Sequence, residues 1–97
     1  MWWYEAPELG RRPYLILSRD EAIPVLTQVL AVPATRTVRG IPTEVALGQG
    51  DGMPAHCALT LDNMTVIRVS LCTERITKLG PERMVEVCQA LGHATAC

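Results

Sequence analysis

Phenylalanine is missing from this chain, and aromatic residues are scarce: two tryptophans and two tyrosines in 97 residues. No C-x-x-C pair occurs among the four cysteines, and no histidine stands at zinc-finger spacing from them. That excludes the usual structural metal sites, and no metal or other cofactor is expected. No apolar run approaches the ~20 residues of a membrane-spanning helix, so no membrane partner is expected. No leader-like segment is visible, so a reducing, cytoplasmic setting with free thiols is expected. Neither sign of charge is in excess: nine Lys/Arg against ten Asp/Glu leave a net charge of −1. A generic nucleic-acid coat protein is thereby disfavoured, while a local basic groove is not. There is no internal repeat and no linker, which leaves a single domain over residues 1–97.

What is present is apolar. Hydrophobic residues make up 48% of the chain, enough for a core and too many for a disordered tail. A domain this small is marginal alone, and dimerisation would stabilise it. Five of the nine basic residues, Arg11, Arg12, Arg19, Arg36 and Arg39, fall within the first forty positions.

Strand signals fill most of the chain. Residues 14–18 and 28–32 are nearly continuous apolar runs, and Thr43-Glu44-Val45-Ala46-Leu47 alternates with Val45 and Leu47 on one face. Residues 48–54, with three glycines, an aspartate and a proline, read as a loop. Residues 57–61 resume as a strand, and Asp62-Asn63 marks a bend. Residues 64–69 continue with Met64, Val66 and Arg68 on one face, and 75–79 read as a last short strand or an extended segment. The period then changes: Met84, Val87, Cys88 and Leu91 form the apolar stripe of a helix, with Pro81 at its first position, Glu82 in its first turn and Gly92 as its stop. The pattern implies an α+β domain, a small curled antiparallel barrel closed by a C-terminal helix. Cys57, Cys72 and Cys88 read as small core residues and Cys97 as a terminal thiol. Trp2 and Trp3 point to opposite faces of a first strand, with Trp3 expected in the core. The other ring is left to stack on a base or a partner.

The chemistry concentrates in two segments. Arg12-Pro13-Tyr14-Leu15-Ile16-Leu17-Ser18 places a guanidinium before an apolar strand, and Val32-Pro33-Ala34-Thr35-Arg36 places a hydroxyl and a cation after one. Pro13 has no N–H for a ladder and marks a strand's first residue or an edge. If the two strands are neighbours, Arg12 and Thr35 meet at one rim, where a planar fork of donors suits a phosphate. His56 and His93 are acid–base candidates by chemistry, read here as surface histidines.

These blocks, in this order, resemble the MazF/PemK toxins, sequence-specific endoribonucleases of bacterial toxin–antitoxin pairs, and most of all their short actinobacterial members. Trp3 before Arg12 resembles the aromatic residue of the family's first strand, and Arg12-Pro13 followed by apolar residues and Ser18 resembles its second strand. Val29 to Thr35, Ile41-Pro42-Thr43-Glu44-Val45, Leu61-Asp62-Asn63-Met64 and Leu79-Gly80-Pro81-Glu82-Arg83-Met84 match later blocks. The chain departs from the family in lacking a basic, Gly-Glu or Gly-Asp lead before the first aromatic, and in the brevity of the loop from Tyr4 to Arg11.

The resemblance implies an SH3-like barrel of the CcdB/MazF toxin fold, acting as a homodimer on single-stranded RNA and restrained by a cognate MazE-like antitoxin. It implies metal-independent and ribosome-independent cleavage of mRNA by 2′-OH attack, giving 2′,3′-cyclic phosphate and 5′-OH ends. Arg12 and Thr35 fall on the family's catalytic arginine and threonine. Ser18, Arg19, Arg36, Arg39, Asp62 and Asn63 are candidates for holding backbone phosphates and bases. No general base is assigned, since arginine stays protonated in nearly every setting. The alternative is a non-catalytic CcdB-like toxin that binds DNA gyrase; the end of this chain, from Leu91 to Cys97, lacks the aromatic terminus such a toxin uses.

Overall fold

In the computed structural model, which describes residues 1–8, 10–18 and 23–95, the backbone pairs from the second residue onward. The strands are β1 (Trp2–Ala6), β2 (Gly10–Ile16), β3 (Gln28–Thr35), β4 (Glu44–Leu47), β5 (Cys57–Thr60), β6 (Thr65–Arg68) and β7 (Cys72–Arg75); one helix, α1 (Pro81–Ala94), follows. All pairings are antiparallel. The spatial order is β4-β5-β3-β2-β1-β7, with β6 beside the first half of β3. The expected antiparallel sheet with a C-terminal helix is therefore present. The sheet stays open rather than closing as a barrel, because β4 and β7 each pair on one side only.

Two apolar clusters sit on the two faces. Leu15, Val32, Leu47, Leu59 and Leu61 pack with Val87 and Ala90 of α1, while Val29, Ala31 and Ile67 form a smaller cluster joined by Tyr4, Tyr14 and Ile16. Each fully buried aliphatic side chain contributes on the order of 1.5–3 kcal/mol. Val45 and Leu47 share the buried face, as their alternation requires.

Several expectations change. In β6 the buried residue is Ile67, opposite Val29, while Val66 is turned out beside Leu30. The last strand, β7, ends at Arg75, and of the two readings of 75–79 the extended segment is the one present. That segment is held by Ile76 N–H donating to Met1 O (2.9 Å) and the Met1 amine donating to Thr77 O (2.9 Å). Met1 itself fills the core position foreseen for Trp3, and both tryptophans are only half-buried. The helix runs through Gly92 to Ala94, where Thr95 Oγ1 donates to Leu91 O (2.8 Å). Its buried residues are Val87 and Ala90, so Cys88 is exposed rather than core; Cys57 is buried and Cys72 half-buried. Arg19 and Cys97 lie outside the described residues.

Candidate active site

The β2–β3 ladder joins Ile16 to Ala31, Leu15 to Val32 and Tyr14 to Pro33, and there it stops. The next residue of β2 is Pro13, which has no N–H to carry the ladder on. Beyond this point β2 pairs only with β1, through Pro13, Arg12, Arg11 and Gly10. On its other edge β3 turns to β5, with Ala34 opposite Leu59 and Thr35 opposite Ala58. The two strands thus part. Counting two residues past Tyr14 and Pro33 reaches Arg12 on one strand and Thr35 on the other. Alternation gives Arg12 the face of Tyr14 and Thr35 the face of Ala31, which is one face of the sheet.

The opening is a cleft of about 370 Å³ that both residues line. The far wall is residues 53–57, the approach to β5, and Trp3, Arg11 and Arg36 complete the rim. Arg12 is exposed and, among the described residues, makes no ion pair or side-chain hydrogen bond. Arg11 differs sharply: it donates to Glu74 (2.8 Å), lies 3.8 Å from Glu5 and stacks 4.2 Å above the Trp3 ring. A guanidinium so engaged is a structural clamp between β1, β2 and β7, which leaves Arg12 free for a ligand. Thr35 Oγ1 accepts from Thr37 N–H at 3.3 Å; its own O–H donates to nothing among the described residues. Among the described residues three guanidinium groups and no carboxylate line the cleft, so its field favours an anion.

The loop after Thr35 is fixed by Glu44, whose Oε1 accepts from Arg39 N–H (2.8 Å) and Gly40 N–H (3.0 Å). Gly40 has φ +70°, a left-handed conformation that glycine adopts without penalty. On the far wall, burial and then the charge of Asp51 push the Cys57 thiol up from its ordinary value, so it stays protonated and unreactive near neutrality. Among the described residues no three of His, Cys, Asp and Glu converge as a metal site.

Of the expected site residues, the cleft gathers Arg12, Thr35 and Arg36. Ser18 sits past the other end of β2, where its Oγ accepts from Leu30 N–H (3.1 Å), roughly 20 Å along the strand from Arg12. Asp62 accepts from Thr43 Oγ1 (2.5 Å) and with Asn63 lies at the opposite end of β5 from the cleft. The Arg39 side chain is exposed and does not line the cleft. Arg11, Trp3 and the 53–57 wall were not foreseen as site residues, and His56, read as a surface residue, belongs to that wall. Extending the Thr35–Ala58 register by two residues sets His56 across from Thr37, a relation that needs the pairing to be known.

The chain is similar to known proteins over nearly its whole length. PemK-like, MazF-like toxins of type II toxin–antitoxin systems match over residues 2–95. A protein of Mycobacterium tuberculosis named "Probable endoribonuclease MazF5" is 42% identical, the match covering 100% of this chain and 90% of that protein. The structure of Mycobacterium tuberculosis toxin MazF-mt6 superposes with a TM-score of 0.86 at 32% identity, covering 97% of this chain and 95% of that one. A mycobacterial endoribonuclease solved in complex with its cognate antitoxin gives 0.84 at 28% identity, covering 96% and 89%. By sequence and by fold, the chain belongs to the PemK/MazF family of toxins of type II toxin–antitoxin systems.

Proposed function

We propose that this MazF-family endoribonuclease cuts single-stranded mRNA at specific short sequences, without ribosome or metal, in the cleft between β2 and β3. The supporting observation is that two strands that have just parted bring to one cleft the Arg12 guanidinium and the Thr35 hydroxyl, neither donating a hydrogen bond to another side chain among the described residues. In the reaction a ribose 2′-oxygen bonds to the adjacent phosphorus while the bond to the 5′-oxygen breaks, leaving 2′,3′-cyclic phosphate and 5′-OH ends. Negative charge builds on the non-bridging oxygens of the five-coordinate phosphorus. Arg12 and Thr35 donate to those oxygens, each worth about 2–4 kcal/mol when fixed in place beforehand. Arg36 adds a cation for a neighbouring phosphate, and the Trp3 rim offers a surface on which a base can stack.

The acting species is a homodimer, which suits a domain of this size. Its partner is a cognate MazE-like antitoxin, the reading favoured by a structural neighbour solved with its own antitoxin. An acidic segment of such an antitoxin would compete with RNA for the three guanidinium groups.

The test is digestion of a mixed RNA by the purified protein in EDTA, with sequencing of 5′-OH ends and detection of cyclic phosphate. Cleavage at a common motif, abolished in Arg12→Ala, is the expected result. Growth arrest with intact RNA and trapped gyrase–DNA complexes would overturn it.

A further inference from the structure

The Arg12–Thr35 pair stabilises charge on phosphorus but leaves one requirement unmet. The departing 5′-oxygen would leave as an alkoxide, and it needs a proton. Arginine does not release one, and an alcohol is too weak an acid. The cationic cleft helps a 2′-oxyanion form, yet it supplies nothing to the leaving group.

His56 lies on the wall facing this pair, immediately before β5 in the chain. It also lines a second, broader depression on the helix side, so it stands on the ridge between the two. The ionisable groups lining the cleft with it are Arg11, Arg12, Arg36 and the buried Cys57. Those on the helix side are Asp51, Lys78, Glu82, Arg83 and Glu86. Asp51, Arg83 and Glu86 are already joined to one another, by Arg83 Nε to Asp51 Oδ1 (2.8 Å) and Arg83 to Glu86 Oε2 (2.9 Å). His56 brings the one imidazole among the described cleft residues, the side-chain type most often used for proton transfer, and among the described residues it is engaged in no side-chain hydrogen bond or ion pair.

We propose that His56 is the catalytic acid of this cleft, giving its proton to the 5′-oxygen as that oxygen departs. The inference rests on the RNA-cleavage reading above. The 2′-hydroxyl gives its proton to solvent as its oxygen bonds to phosphorus. The electron pair of the breaking P–O bond goes to the 5′-oxygen, which takes the imidazolium proton. Neutral His56 then regains a proton from water.

The experiment compares two RNA oligonucleotides bearing the motif the wild-type protein selects. One is ordinary; in the other, sulfur replaces the bridging 5′-oxygen at the cut position, so that a thiolate leaves without needing a proton. His56→Gln is expected to slow cleavage of ordinary RNA by about 100-fold or more, and to cut the sulfur substrate within about threefold of wild type. The alkaline fall in the wild-type pH–rate profile, which reports loss of the acid form, should vanish in the variant. Arg12→Ala should be slowed on both substrates. Equal slowing of both by His56→Gln, or slowing of neither, overturns the acid role. A wild-type protein inert on both would instead remove the RNA-cleavage reading and this role with it.

Discussion

Arg12 and Thr35 are cross-strand counterparts with no ladder between them: each lies two residues beyond the Tyr14–Pro33 rung, on the same sheet face, across an opening both line. The gap follows from chain chemistry. Pro13 ends the pairing on one strand, and β3 gives its last two residues to β5. A cleft of about 370 Å³ thereby opens with one potential donor from each of two paired strands. Sites on such rigid elements keep their geometry without reorganisation during reaction.

The first prediction concerns that pair. Arg12→Ala should lower single-turnover RNA cleavage by roughly 10²–10³-fold, the loss seen when one preorganised donor is removed. Because Arg12 is exposed and unpaired among the described residues, thermal stability should shift by less than about 0.5 kcal/mol. Arg12→Lys should recover little, since a point charge does not match two phosphate oxygens. Thr35→Ser should retain activity and Thr35→Val should lose it. Full activity in Arg12→Lys, or in Thr35→Val, would mean these groups do not touch the reacting phosphate.

Arg12, Thr35 and the antiparallel order were legible in the sequence because they depend on local signals: a proline without an N–H, apolar runs, and cations at strand ends. The stripe of α1 was legible in period but not in phase. Its rotation toward Val87 and Ala90 is set by the sheet beneath it, so Cys88 faces solvent. The inward face of β6 does not follow from its alternation, because its apolar residues allow either register and only the Val29–Ile67 pairing chooses. The 53–57 wall was invisible for the same reason: residues about twenty positions from Thr35 join the cleft through a strand pairing that leaves no local mark. Ser18, Asp62 and Asn63 enter through blocks of the family resemblance, which carry no distances; the Ser18 hydroxyl serves the backbone and the Asp62 carboxylate a neighbouring side chain.

A second prediction concerns the fastening of the loop to the helix. Asp51 Oδ1 accepts from Arg83 Nε (2.8 Å) and Oδ2 from Gly48 N–H (3.0 Å). The Arg83 hydrogen bond, then the Gly48 N–H, hold the Asp51 carboxyl below its ordinary value of 3.8. A carboxyl lowered in the folded state contributes stability above its unfolded value, and that contribution is lost as pH falls through the folded value. Asp51→Asn should therefore cost about 1 kcal/mol at pH 7, the worth of a charged hydrogen bond discounted for the solvent-open Arg83. The difference in Tm from wild type should shrink steadily as pH is taken below 3.8. A gap that stays constant into strong acid would show that the charge of Asp51 is not the source.

Gly52 makes the third case. Its φ is +87°, and a Cβ built there would lie 2.8 Å from Thr77 Cβ. Gly52→Ala meets two separate penalties, a left-handed backbone costing about 1–2 kcal/mol and a clash with a neighbouring segment. Urea unfolding should show a loss of about 2 kcal/mol or more. Thr77→Gly in the same background removes the clash and leaves the backbone cost, so the pair should be clearly non-additive. A Gly52→Ala protein within about 0.5 kcal/mol of wild type would mean the turn relaxes to another conformation.

The last prediction separates stability from chemistry. Leu59 is fully buried in β5, opposite Val45 on one side and Ala34 on the other, directly behind the strand end that carries the cleft wall. Leu59→Ala leaves a cavity and should cost about 2–5 kcal/mol, a large share of the roughly 5–15 kcal/mol that holds such a domain. Leu59→Met, similar in volume, should cost less than about 1.5 kcal/mol. RNA cleavage by Leu59→Ala should fall in step with its folded fraction and recover on cooling toward the temperature of greatest stability. Arg12→Ala should stay inactive while fully folded. If Leu59→Ala at full folding were as inactive as Arg12→Ala, the wall behind the cleft would be setting the geometry of the reaction, and the division of labour between core and site would be wrong.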